Sequence, residues 1–244
     1  MNDCAAKPDL PSSVALRQAA PGIETMSAAF TREAFSAHRH DTYGIGVTTR
    51  GVQVFHYRGE KRRSSIGHVF VLHPDELHDG HADDDRGFAY QIAYIEPSLI
   101  LAASDGHGLP FIATPVLDAV DFRRAVEGVL VPADEMEMTS AVVELTDALW
   151  QAAGARRQTA THLRLRGLKA VRDALLAAGS ERISMVDLEK IGGLSRWELA
   201  RQFRGAFGVS PYRFHLMRRL EEARRLLGAG SPLAAVAIET GFSD

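Results

Sequence analysis

The sequence has few of the features that mark secreted or membrane proteins. It has 244 residues and one cysteine, Cys4, so no disulfide can form within the chain and a reducing compartment is expected. The segment Met1–Pro21 lacks a basic start followed by an apolar run, and so does not resemble a secretory signal. No uncharged apolar stretch approaches the roughly 20 residues of a membrane-spanning helix. We therefore expect a cytoplasmic protein with no membrane partner.

Positive charge is scarce in the first part of the chain and abundant in the last. Residues 1–154 carry 12 Lys and Arg against 22 Asp and Glu, whereas residues 155–244 carry 16 against 9, for a net charge of −3. A basic part joined to an acidic one indicates a polyanion-binding module attached to a part with another task. A solvated helical surface would give the same imbalance, so residue spacing has to decide.

Short runs of β-branched and aromatic residues between residues 30 and 100 predict strands. The runs are separated by glycine and proline and cover Tyr43–Thr48, Val52–Tyr57, His68–Leu72 and Phe88–Ile95. Short strands at near-regular spacing are typical of a sandwich or small barrel. Helical periodicity begins near Asp118 and, after a polar link, resumes from Thr161 onward.

A pair of short helices is the sharpest local pattern in the basic part. Ser184 can cap the first helix and Gly192–Gly193 breaks it. Ser195 and Glu198 then form a capping box that starts the second helix, for which Gly208 is a suitable stop. Two short helices joined by a glycine-containing turn of three or four residues predict a helix-turn-helix.

The second of these helices has an apolar face and a basic face. Arg196, Ala200 and Arg204 form a row at i, i+4 and i+8, with Trp197 and Arg201 beside it. Arginine can bond bidentately to guanine, and an alanine or aromatic surface can meet a thymine methyl group, so this face suits a major-groove reader. The predicted DNA-binding residues are Ser195, Arg196, Trp197, Ala200, Arg201 and Arg204. The alternative is a solvated basic face on which Trp197 packs against a neighbour.

The helix-turn-helix pattern starts a second time. A shift of 48 residues overlays Leu188–Ser195 on Val236–Ser243, and Ser210–Pro211 and Ser231–Pro232 both resemble helix starts. Residues 212–227 are long enough for a connecting helix. Asp244 overlays the first residue of the first recognition helix, so we expect the second unit to be incomplete, as in an artificial or partial chain.

These residues resemble the AraC family of bacterial transcription regulators. The resemblance begins near Ile183 and rests on Leu188, Gly193–Ser195, Leu199, Arg201, Phe203, Gly208, Ser210–Pro211, Arg219–Leu220, Ala223, Leu226–Leu227 and Gly241–Asp244. It implies two helix-turn-helix units on a connecting helix that read successive major grooves. It also places Arg196, Trp197, Ala200 and Arg201 where family members contact DNA. Glu189 departs from the pattern, which usually has alanine there.

The first half resembles the sugar-binding-type cupin barrel that precedes this DNA-binding unit in many AraC relatives. The resemblance covers roughly Phe30–Ile100 and rests on His38–His40, Gly51, Gly67, Pro74 and His78. It implies a pocket for a small-molecule effector, without a metal or other cofactor. The candidate effector-binding residues are His38, His40, Tyr43, Phe55, Arg58 and His78.

A metal site is the alternative use of the histidines. Residues i and i+2 of a strand face the same way, so His38 and His40 can both enter the barrel, and His78 lies at a suitable later position. Three imidazoles could hold Zn²⁺ or Fe²⁺ with an open coordination position. Cupin enzymes usually add a glutamate soon after the histidine pair, but Gly44 and Ile45 occupy its place here.

The predicted fold class is α+β: an N-terminal cupin-like β-barrel with trailing amphipathic helices, then an all-α helix-turn-helix domain. The predicted domains are an extension over residues 1–29, the effector-binding barrel over 30–117, a helical dimerisation or linker segment over 118–154, and an AraC-type DNA-binding domain over 155–244. The helical segment has an apolar face that suits either a helix pair across a homodimer or packing against the barrel, formed by Val142, Leu145, Leu149 and Trp150.

The sequence therefore predicts a non-enzymatic regulator of transcription. Its expected partners are double-stranded DNA, a small-molecule effector and a second copy of the chain, with RNA polymerase as a further candidate. The alternatives are a metal-dependent cupin enzyme such as a dioxygenase, and a sensor fragment that does not bind DNA.

Overall fold

The computed structural model describes residues 13–31, 33–104, 108–131, 134–154, 164–207 and 209–242. The chain divides into two compact units, one of residues 1–132 and 144–157 and the other of residues 133–143 and 158–244. In the described part, the strands are β1 Ser13–Ala20, β2 Ile23–Phe30, β3 Glu33–His38, β4 Tyr43–Tyr57, β5 Glu60–Ser65, β6 Val69–Leu72, β7 His78–Ala82, β8 Phe88–Ile95 and β9 Val116–Leu117. The helices are α1 Pro97–Ala103, α2 Val120–Leu130, α3 Glu135–Ala152, α4 Leu165–Ala178, α5 Met185–Gly192, α6 Arg196–Phe207, α7 Pro211–Gly228 and α8 Leu233–Glu239. These elements confirm the predicted α+β fold class.

The strands of the first unit pair antiparallel in the order β1-β2-β8-β4-β6-β9, while β7 pairs with β3 and β4, and β5 pairs with β4. Strand β4 belongs to both sets of paired strands, because its first part, Tyr43–Gly51, pairs with β8 and its second part, Val52–Tyr57, pairs with β5. The sequence predicted two strands where the structure has this single long one. A shift in register after Thr48 and a positive φ of 64° at Gly51 bend the strand instead of ending it.

The sheet begins earlier than the sequence predicted. Strand β2 pairs with β8 along its whole length, from Ile23 opposite Ile95 to Phe30 opposite Phe88, and β1 pairs with β2. The predicted extension over residues 1–29 therefore contains two strands of the sheet, and a barrel boundary at residue 30 is too late. The sequence did not predict β1, because this strand is exposed along most of its length and lacks the apolar alternation of a half-buried strand.

Apolar side chains from several strands form the core of the first unit. Its buried members are Met26, Ala28, Phe30, Phe55, Tyr57, Phe70, Leu72, Phe88, Tyr90 and Ile92. Helix α2 buries Phe122, Val126 and Val129, whereas Val120 at its first position is half exposed.

The apolar face of α3 is covered by the chain itself. Val142, Leu145 and Leu149 have at most 1% of their surface exposed, and the indole N–H of Trp150 donates to Ser104 Oγ at 3.1 Å. Of the two uses predicted for this face, packing within the chain is the one that the structure shows.

The second unit is helical and closely packed. Its core joins α4, α5 and α6 with Met136 of α3 through Leu168, Val171, Leu175, Met185, Leu188, Leu194, Leu199 and Phe203. Helices α4 and α5 cross closely at Gly167, where a Cβ would lie 2.3 Å from the carbonyl oxygen of Gly192. A side chain at this position would push the two helices apart.

The predicted repeat is confirmed in the backbone. Helices α5 and α8 begin 48 residues apart, at Met185 and Leu233, and a glycine with positive φ follows each of them, Gly193 at 61° and Gly241 at 71°. One detail differs. Ser210 caps α7 by accepting from the Arg213 N–H, but Ser231 caps nothing, and Pro232 takes the cap position of α8 without a side-chain bond.

No helix in the described residues is long and apolar enough to cross a membrane.

Candidate DNA-reading surface and effector pocket

The local signals of the helix-turn-helix are confirmed. The Asp187 N–H donates to Ser184 Oγ at 3.1 Å at the start of α5, and Gly193 ends that helix in the left-handed conformation. At the start of α6 the Glu198 N–H donates to Ser195 Oγ at 3.4 Å, while the Ser195 N–H donates to Glu198 Oε2 at 3.2 Å. Reciprocal bonds of this kind are a capping box and satisfy amides that the first helical turn leaves free. Gly208, the predicted stop of α6, lies outside the described residues.

The outward face of α6 is centred on different residues from those that the sequence predicted. Leu199, Ala200, Gln202 and Phe203 are buried, and at about 100° per residue they span an arc of roughly 160°. Ala200 is only 2% exposed, so its assignment as a DNA contact is wrong. Trp197, Arg201 and Arg204 lie on the opposite arc and are partly exposed, and Ser195 at the helix start is exposed.

Arg196, in the first turn of α6, lies on the same side of the helix as the buried residues, is partly exposed and contacts two carboxylates. Its guanidinium Nη1 pairs with Glu135, and its Nη2 lies 3.8 Å from Glu189 Oε2. The backbone N–H of Arg196 donates to Glu189 Oε1 at 2.7 Å. Glu189, the departure from the family pattern, therefore closes the turn between α5 and α6.

Three of the predicted effector residues come together in the first unit. The ring centroid of His78 is 4.4 Å from that of His38 and 4.8 Å from that of His40, and the latter two are 6.3 Å apart. Tyr94, which the sequence analysis did not select, lies 5.2 Å from His40 in an edge-on arrangement. The sequence did not predict that Tyr94 lies near the histidines, because the pairing of β8 with β4 joins residues that are far apart in the chain.

Each ring of this histidine cluster (His38, His40 and His78) is oriented by a backbone carbonyl. The Nδ1 atoms lie 2.9, 2.8 and 2.8 Å from the carbonyl oxygens of Ser36, Thr42 and Glu76 respectively. Because a carbonyl can only accept, Nδ1 of each ring carries a proton, and in a neutral ring Nε2 is then left as an acceptor. Burial lowers the pKa of His78 to about 4 and also lowers the pKa of His40. Both rings are therefore neutral near pH 7.

The remaining predicted effector residues are not part of the group of three rings. Phe55 is 1% exposed within the hydrophobic core, so it is not a pocket residue. The hydroxyl of Tyr43 donates to the carbonyl oxygen of Pro110 at 3.0 Å. Arg58 Nε donates to Glu76 Oε1 at 2.9 Å, and its guanidinium carbon lies 4.2 Å from the centre of the Phe111 ring. Tyr43 and Arg58 thus secure the segment around Phe111.

His73 holds the same segment and was not selected from the sequence. The Ile112 N–H donates to His73 Nε2 at 3.0 Å, which places the ring proton on Nδ1, 2.9 Å from the hydroxyl oxygen of Tyr57. Burial, aided by the charge of Arg58, lowers the pKa of His73 to about 4. His73 is one of several histidines in residues 38–81, and no sequence pattern distinguished it from the others.

Two cavities border these residues. One of about 560 Å³ is lined by His38 and His40 together with Leu16, Gln18, Gly22, Glu24, Asp41, Thr42, Tyr94 and Glu96. A second of about 320 Å³ is lined by His78 and Arg58 together with Tyr57, Glu76 and others. His38 and His40 line the larger cavity and His78 lines the smaller one, so the histidine cluster borders both.

Within the part of the chain that the structure describes, no group of three or more His, Cys, Asp and Glu side chains is arranged to hold a metal ion. The sequence also lacks a glutamate at the usual position after the histidine pair. The metal alternative therefore gains no support from the arrangement of the side chains.

Comparison with known proteins identifies both halves. The family model described as an AraC-like ligand binding domain matches residues 20–166, and one described as a helix-turn-helix domain matches residues 188–244. The uncharacterized HTH-type transcriptional regulator YbfI of Bacillus subtilis (strain 168) is 24% identical over 220 residues, which are 86% of this chain and 80% of that protein.

Two solved structures are similar to part of the chain. KdgF from Halomonas sp. is 24% identical, with a TM-score of 0.31 over 34% of this chain and 77% of that chain. A cupin 2 conserved barrel domain protein from Leptotrichia buccalis is 13% identical, with a TM-score of 0.34 over 38% of this chain and 44% of that chain. The ligand-binding family model alone covers more than half of the sequence, and the chain belongs to the AraC family of transcription regulators.

Proposed function

We propose that this regulator binds specific double-stranded DNA through the α6 face formed by Trp197, Arg201 and Arg204, and that a small molecule bound by the first unit controls this binding. The observation that supports DNA reading most directly is the α5–α6 pair. Its short turn begins at the left-handed Gly193, and its second helix is capped by Ser195 and Glu198. That geometry presents a helix whose outer arc carries two arginines and a tryptophan.

Arg201 is the residue on which we base the test. It lies near the middle of the outer arc of α6, opposite the buried residues, and is partly exposed. An arginine in this position of a recognition helix can contact a base edge or a phosphate. Arg204 lies one turn further along, and Ser195 at the helix start is a candidate phosphate contact. Arg196 is a further candidate, although its side chain is held by carboxylates in this structure.

The experiment begins with duplexes selected by the whole chain from a randomised DNA pool. The affinity of the selected duplex is then measured for the parent protein and for Arg201→Ala. We expect a loss of about 1–3 kcal/mol, or roughly 5- to 150-fold in Kd. Arg124→Ala is the matched control, because Arg124 is an exposed arginine of α2 with the same charge. Equal affinity of the parent and Arg201→Ala would contradict the proposal.

The effector is proposed to bind at the histidine cluster. The Nε2 atoms of His40 and His78, the two rings that burial keeps neutral, favour a ligand that supplies hydrogen-bond donors, such as hydroxyl or amino groups. Tyr94 and the carboxylates of the larger cavity add a donor and further acceptors. Mass spectrometry of a denatured extract of the purified protein would identify a retained ligand. A ligand retained equally by the parent and by His40→Ala would place the effector site elsewhere.

We propose no catalytic role for this pocket. A homodimer and a contact with RNA polymerase stay predictions, and the α3 face proposed for a dimer is buried within the chain.

A further inference from the structure

The first turn of α3 lies against the helix-turn-helix. Residues 133–143 belong to the same compact unit as α4–α8. Met136 is 5% exposed and packs in the core that contains Leu188, Leu194 and Leu199. Asp134 starts the helix by accepting from the Glu137 N–H at 2.9 Å. This anchor brings three acidic side chains to a basic DNA-binding unit.

These side chains form an acidic segment (Asp134, Glu135 and Glu137) with defined contacts. Glu135 pairs with Nη1 of Arg196 at the start of the recognition helix. Glu137 forms a hydrogen bond with the hydroxyl of Tyr212, and burial together with this contact raises the pKa of Tyr212 to about 12. Because each contact joins the segment to a different helix of the unit, the segment is fixed at two points.

Two of the amides at the start of α6 already have hydrogen-bond partners. Anions bind well at a helix N-terminus because its first amides are free and its dipole is positive there. Here the Arg196 N–H is already bonded to Glu189 and the Ser195 N–H to Glu198. Glu135 then takes a guanidinium nitrogen that a guanine or phosphate would need, and its charge repels the DNA backbone.

We propose that Glu135 competes with DNA for Arg196, so that the acidic segment lowers the DNA affinity of the chain until Arg196 exchanges Glu135 for DNA. The inference rests on the proposed DNA binding by α6. It makes Glu135 a determinant of DNA affinity although Glu135 itself does not touch DNA.

The test compares Glu135→Gln with the parent protein, using the selected duplex and fluorescence anisotropy at 0.15 M salt. The pair is half exposed, with 32% of the Arg196 side chain and 51% of the Glu135 side chain accessible, so its strength is that of a surface ion pair. Breaking it should tighten DNA binding by about two- to fivefold. Thermal denaturation of both proteins checks that the fold is unchanged.

Glu181→Gln is the matched control, because Glu181 is an exposed glutamate of the same unit and the substitution changes the net charge equally. We expect it to change affinity by less than the Glu135 variant does. In an Arg196→Ala background, Glu135→Gln should change affinity no more than Glu181→Gln does, because the competition needs both partners.

Three outcomes would overturn the inference. They are an equal gain for Glu135→Gln and Glu181→Gln, a gain that persists at full size in the Arg196→Ala background, and weaker binding by Glu135→Gln. The last would mean that Glu135 holds Arg196 ready for DNA. The proposed function fails separately, if the parent protein selects no duplex at all. Duplex binding by the parent without a specific gain for Glu135→Gln contradicts this inference alone.

Discussion

Buried neutral histidines link the stability of the first unit to pH. His73 and His78 are 6% and 5% exposed, and burial lowers the pKa of each from 6.5 to about 4. Above pH 6.5 both rings are neutral in the folded and unfolded chain. Between pH 6.5 and 4 the unfolded chain binds protons that the folded chain does not, so the free energy of unfolding falls as the pH is lowered.

We expect this loss to amount to about 1.4 kcal/mol per pH unit for each histidine within that window. Urea denaturation from pH 7 to pH 4 measures it. His78→Gln should have a shallower pH dependence than the parent, while the same change at His81, which is only partly buried, is the control. A parent protein whose stability is constant from pH 7 to pH 4 would show that these rings are not held neutral by burial.

At the scale of helices, the crossing of α4 and α5 depends on Gly167. A Cβ there would lie 2.3 Å from the carbonyl oxygen of Gly192, so Gly167→Ala should destabilise the second unit by about 1–3 kcal/mol. Thermal denaturation followed by circular dichroism is the measurement. Gly228→Ala is a suitable control, because a Cβ at that helical position meets nothing within 4 Å and alanine favours the helix. A Gly167→Ala variant as stable as the parent would refute the close crossing.

Helix α8 is held at its C-terminal end by Arg219 of α7. Arg219 Nε donates to the carbonyl oxygen of Thr240 at 2.8 Å, its Nη2 donates to that of Gly241, and its guanidinium carbon lies 4.3 Å from the centre of the Phe242 ring. Arg219→Ala should therefore speed hydrogen exchange of the α8 amides. Arg224→Ala, at an exposed position of the same helix, should leave the exchange unchanged. Equal rates of α8 amide exchange in the two variants would show that Arg219 does not hold the end of α8.

Helix caps and turns could be predicted from the sequence because they depend on neighbours within a few residues. Ser184, Gly193, Ser195 and Glu198 all act locally, and each was assigned correctly. The burial of Ala200 could not be predicted in the same way, since helical spacing alone does not say how wide the packed arc of α6 is. Strand β1 was missed for a related reason: only its pairing with β2 makes it part of the sheet.

The grouping of the histidines at the proposed effector site was predicted in part. The i, i+2 spacing of His38 and His40 placed two rings of the cluster together, and the family resemblance added His78. Phe55 was misassigned because a strand presents alternate residues to opposite faces, and one sequence does not say which face lines the core. The Arg196–Glu135 pair joins residues far apart in the chain, so no local pattern predicts it.

Across the whole chain, charge and architecture agree. The acidic first part carries the ligand-binding domain, and the basic last part carries the helix-turn-helix. Because phosphate contacts release counterions from DNA, affinity for the selected duplex should fall as salt rises, with a slope of log affinity against log salt of about −0.9 per contact. A titration series in salt measures the slope. An affinity independent of salt would exclude binding to the DNA backbone by the basic unit.

The central claim is that the outer arc of α6 reads bases. The most direct test is to repeat the selection from a randomised DNA pool with Arg201→Ala and to compare the base preferences with those of the parent. If Arg201 reads a base, the preference should relax at one position of each bound site and persist at the others. Identical preferences at every position, in a variant that still binds DNA, would contradict the claim that Arg201 reads a base.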